Sequence, residues 1–88
     1  MKLVKLVNDP HKYKAVFDDG KIVKFGATGY SDFTKNHDEA RKERYIERHR
    51  GREDWLNPMS RGALSRYILW NKKSVSASLA DYKSRFGL

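Results

Sequence analysis

The sequence predicts an α+β domain: a small N-terminal three-stranded antiparallel β-meander packed by about three α-helices. Two observations carry this. Residues 2–26 hold three short runs rich in β-branched and aromatic residues, KLVKLV, KYKAVF and KIVKF, broken by Asn8-Asp9-Pro10 and Asp18-Asp19-Gly20. Beyond residue 37 the apolar spacing changes to three and four, the period of a helix. At 88 residues there is room for one core, so 1–88 reads as a single domain.

The meander comes first. Asp-Gly between two apolar runs is a hairpin signal. Alternation puts Tyr13, Ala15 and Phe17 on one face of the second strand, opposite Lys12, Lys14 and Val16. In the third strand Val23 and Phe25 oppose Ile22 and Lys24. One face is therefore core, and the lysine-dotted face is expected in water.

Residues 27–36, which overlap the stretch GATGYSDFT, read as a connecting loop, with Gly26 and Gly29 for flexible backbone and Ser31, Asp32 and Thr34 as capping groups. The glycine spacing fits neither a Walker loop nor a dinucleotide fingerprint. Thr34 or Asn36 is the expected N-cap of a helix over 37–50. Asp38 and Glu39 in its first turn and Arg48, His49 and Arg50 in its last suit the macrodipole, with Gly51 as the stop. Glu39, Glu43 and Glu47 form one stripe; His37, Arg41, Arg44 and Arg48 form another. Ala40, Tyr45 and Ile46 leave only a narrow apolar strip.

Past Pro58, Ser60 caps a helix over 60–70 whose Ala63, Leu64, Tyr67 and Ile68 share a face. Ser74 caps a third helix, 74–86, whose Val75, Leu79, Tyr82 and Phe86 make a core stripe before Gly87. Trp55 and Trp70 are expected to be buried anchors.

A chain of this size buries roughly 60–65 % of its unfolded surface, so modest stability is expected. Cysteine is absent, which removes disulfides and Cys-based zinc sites. No run approaches the ~18 apolar residues of a membrane span. The segment MKLVKLVNDP lacks the features of a signal peptide. The expectation is a soluble, non-secreted protein of a reducing compartment with no membrane partner.

The net charge of +8, from 19 Lys and Arg against 11 Asp and Glu, favours encounters with polyanions. All eight arginines lie between Arg41 and Arg85. Guanidinium matches phosphate oxygens in bidentate fashion and stacks on bases. The nucleic-acid-binding candidates are Arg41, Arg44, Arg48, Arg52, Arg61, Arg66, Lys72 and Lys73, with Trp55 and Tyr67 interleaved for stacking. His37 and His49 stand twelve apart on different helix faces, and no HExxH occurs, so no metal site is expected. Asp32, Asp38, Glu53 and Asp54 sit in no nuclease pattern, and no GxSxG occurs. No catalytic residue and no cofactor are assigned. The expected function is non-enzymatic nucleic-acid binding, mainly through phosphates. The alternative is a minor structural protein whose basic face docks on acidic protein.

The stretches GYSDFT, ARKERYIERHRGREDW, SRYILWN and DYKSRF resemble a family of small uncharacterised proteins encoded by large nucleocytoplasmic double-stranded DNA viruses of protists and algae. The likeness covers about residues 25–88; the strand segment before it is less distinctive. It implies a viral origin, a place in the virion or in the cytoplasm or nucleus of an infected cell, and DNA ahead of RNA as the nucleic acid, with RNA left open. The alternative partner it implies is a capsid or other virion protein. It carries no catalytic residue onto this chain.

Overall fold

Strands β1 (Lys2–Lys5), β2 (His11–Val16) and β3 (Ile22–Ala27) form one antiparallel sheet in the order β1-β2-β3 in the computed structural model, which describes residues 1–88. The register aligns Leu3, Ala15 and Val23 in one row and Lys5, Tyr13 and Phe25 in the next. Tyr13, Ala15, Val23 and Phe25 therefore share a face, as the alternation requires. Gly20 closes the hairpin at φ 92, a conformation that suits glycine, while Phe17 N–H donates to the Lys21 carbonyl at 2.9 Å. The fold is α+β, with the sheet first and helices after it.

The helical part comprises α1 (Phe33–Asn36), α2 (Glu39–His49), α3 (Arg61–Leu64), a π-helical turn over Ser65–Leu69, and α4 (Val75–Phe86). Ser60 and Ser74 cap as their sequence positions suggest, each accepting a backbone N–H at 3.1 Å. Gly87 ends α4 at φ 70. The core is Ala15, Phe17 and Phe25 from the sheet side against Leu64, Ile68, Leu69 and Tyr82.

Four local readings change. The stretch 27–36 contains α1, and its cap is Asp32, which accepts Thr34 N–H at 3.0 Å. The helix expected over 37–50 runs Glu39–His49 and is capped by Asp38, because His37 at φ 52 turns the chain between the two helices. Gly51 is not left-handed; Arg52 instead folds back and donates from Nε and Nη2 to the Arg48 carbonyl at 3.1 and 2.9 Å. The helix expected over 60–70 loosens after one turn, where Trp70 N–H reaches the Ser65 carbonyl at 3.1 Å. That wider turn brings Leu69 onto the face of Leu64, so Leu69 enters the core and Tyr67 stays half-buried.

Two side-chain expectations change as well. Lys12 lies on the face expected in water, yet its ammonium is withdrawn into an ion pair with buried Asp32 at 2.7 Å. Both tryptophans are half-buried rather than fully inside. Trp70 flanks the core, whereas Trp55 lies under the Arg66 guanidinium, 5.6 Å from the ring centre.

Candidate nucleic-acid interface

Helix α2 rests on the domain through Tyr45 and Ile46, its only buried residues. With so narrow an apolar strip it cannot lie flush, and a cleft of about 1230 Å³ opens beside it. Arg41, Arg44 and Arg48 of α2 line this cleft at i, i+3 and i+7, the spacing that repeats one helix face. The sheet contributes His11, Lys12 and Gly26, and α3 contributes Arg61. Buried Tyr45 and Leu69 lie at its base.

Aromatic rings stack along this base. Trp70 and Tyr45 stack nearly parallel, 4.6 Å apart at 7°, and His49 stacks on Tyr45 at 4.2 Å and 26°. Tyr45 and His49 meet because they are four apart on α2; Trp70 reaches them from the end of the π-helical turn. Burial pushes the Tyr45 phenol up to about 12. His49 Nδ1 faces Glu53 Oε1 at 3.3 Å. Glu53 in turn lies over Gly62, where a Cβ would meet its carboxylate and push that side chain aside.

The electrostatics are positive but mixed. Lys12, Arg41, Arg44, Arg48 and Arg61 line the cleft with Glu43, Glu47 and Glu53. Glu47 approaches Arg50 at 3.6 Å, Glu53 faces His49, and Lys12 is held by Asp32. The side chains of Arg41, Arg44 and Arg48 enter no ion pair. All three are exposed. A smaller hollow of about 170 Å³ adjoins at Lys12, with Lys5, Lys35 and Thr28 among its lining.

Of the eight basic candidates, four come together: Arg41, Arg44, Arg48 and Arg61. Arg61 is partly committed, since its Nε donates to the Lys24 carbonyl at 3.0 Å and ties α3 to β3. Arg52 caps α2. Arg66 is held inside, with Nη1 donating to the Trp70 carbonyl at 2.8 Å and its plane between Trp55 and Tyr67. Lys72 and Lys73 are exposed in the turn before α4, away from the cleft lining. Sequence reasoning missed His11, Lys12, exposed Tyr30 and the ring stack. Only the stack had a local signal, the Tyr45–His49 spacing. No group of three or more His, Asp or Glu converges, and no helix is long and apolar enough to cross a membrane.

Residues 1–49 match a family of unknown function (DUF5754), more than half of the chain, and the chain belongs to that family. The match takes in the whole sheet, the segment that had looked least distinctive, and ends at the last residue of α2. No curated protein and no solved structure matches the chain.

Proposed function

We propose that this family member is a small, non-enzymatic, virus-encoded protein that binds nucleic acid, mainly through phosphate contacts from its arginine-lined cleft. The observation that carries this is the set of three exposed guanidinium groups, Arg41, Arg44 and Arg48, with no acidic partner, lining one cleft with Arg61. An arginine face whose function was structural would be engaged from within, as Arg66 is by the Trp70 carbonyl and two rings. The unpaired three are available to exchange counterions for phosphate oxygens. The viral origin, and DNA ahead of RNA, rest on the wording of residues 25–88.

The test is affinity measured over a salt series. Log affinity should fall linearly with log salt, by about 0.9 per phosphate neutralised on duplex DNA and about 0.7 on a single strand. Arg44→Gln with Arg48→Gln should weaken binding to all sequences alike and flatten the slope by roughly 1.4–1.8. Absence of binding to any nucleic acid at low salt would overturn this reading, and the same face would then be assigned to docking on an acidic virion protein.

A further inference from the structure

We infer that the cleft takes an unpaired strand of nucleic acid, with a base against its aromatic rings, rather than a duplex; this rests on the phosphate-binding reading above. Three features of the cleft point the same way. The first is shape. A helix that reads duplex DNA stands proud of its domain so that it can enter the major groove, about 12 Å wide. The arginines of α2 instead line a cleft shared with His11 and Lys12 of the sheet, in a body of only 36 × 30 × 24 Å. A flexible single strand can follow such a cleft; a stiff rod cannot bend into it.

The second feature is the set of ring faces. Tyr30 lines the cleft with 74 % of its surface exposed, and its hydroxyl makes no hydrogen bond within the chain. The Trp70–Tyr45–His49 stack ends in two half-buried rings. Paired bases hide their faces inside the duplex, whereas unpaired ones can stack on such rings. The third is the carboxylates. Glu43, Glu47 and Glu53 line the cleft and would repel a purely phosphate ligand. They can accept hydrogen bonds from the exocyclic amino groups of bases, whose Watson–Crick edges are free only in an unpaired strand. An arginine wall with carboxylates and rings beside it therefore suits a backbone and its splayed bases together.

The test compares fluorescence anisotropy of one mixed-sequence oligonucleotide, single-stranded and as its duplex, at equal length and salt. The single strand should bind at least tenfold more tightly. Tyr30→Ala should then weaken single-strand binding roughly tenfold, the size of one base–aromatic stack, without changing the salt slope. Tyr30 is exposed, so this variant keeps the fold, as circular dichroism would verify. Duplex binding equal to or tighter than single-strand binding, or a Tyr30→Ala variant that binds like the wild type, would overturn the inference and leave the phosphate-binding reading standing. Failure of both oligonucleotides to bind would overturn the two together.

Discussion

Lys12 and Asp32 join the sheet to the start of the helical half, and their removal singly and together probes what that junction contributes. Their contact is 2.7 Å, with only 10 % and 2 % of the side chains exposed. Asp32 also caps α1 and accepts the Thr34 hydroxyl. Removing one partner of a buried pair leaves a stranded charge and costs about 3–5 kcal/mol. Total stability for 88 residues is about 4–13 kcal/mol, at ~0.05–0.15 kcal/mol per residue, so either loss is a large share. Asp32→Asn isolates the charge, because asparagine caps a helix about as well as aspartate. Lys12→Met keeps the aliphatic stem. Each single variant should lower the urea midpoint by roughly 1–3 M, followed by far-UV circular dichroism. The double variant buries no charge and should recover at least about 2 kcal/mol relative to the sum of the singles. Strictly additive losses, or single losses below about 0.5 kcal/mol, would refute the reasoning and make the pair a solvated surface contact.

Gly26→Ala should destabilise by about 2–4 kcal/mol, lowering the melting temperature by about 8 °C or more, since the residue sits at φ +78 and a Cβ would meet Leu69 Cδ1 at 2.8 Å. Trp55→Phe should change stability by less than about 1 kcal/mol, because the buried indole Nε1 has no acceptor in the chain to lose; a larger loss in a chemical melt would contradict this. Burial pushes the Tyr45 and Tyr82 phenols up to about 12, above the ordinary tyrosine value near 10. The unfolded chain then releases these protons first as pH rises, so the stability they confer is present below pH 10 and is lost between about 10 and 12. An alkaline ultraviolet titration should show these two tyrosines ionising late and together with unfolding; five tyrosines ionising near 10 in a folded protein would be the contrary result.

Period and punctuation made most of the fold legible. The two-residue alternation placed Ala15, Phe17 and Phe25 inward, and Ser60, Ser74 and Gly87 marked helix ends through local hydrogen bonding that needs no tertiary context. What stayed hidden depends on long-range partners. Lys12 looks like any strand lysine until Asp32, twenty residues on, is brought beside it. Asp32 looked like one of several capping groups in a loop for the same reason. The π-helical turn has no composition signature, because its driving force is the demand of the core for Leu69. The arginine stripe of α2 could be read from spacing, since 41, 44 and 48 share a face of any helix. Its separation from Arg52 and Arg66 could not, because each is captured by a backbone carbonyl four residues away, a local bond that no residue type at that spacing announces. The cleft itself follows from a helix with too little apolar surface to lie flat, and Tyr45 and Ile46 were visible as that thin strip.

The most direct measurement is nuclear magnetic resonance with a short single-stranded oligonucleotide added to the isotope-labelled protein. If the cleft is the binding surface, shifts should concentrate on the backbone amides of 41–49, on Arg61, Ser65 and Lys12, and on the Trp70 indole N–H. Lys72, Lys73 and the outward lysines Lys2 and Lys14 should stay unperturbed. Shifts centred on those lysines, with residues 41–49 silent, would contradict the assignment of the cleft.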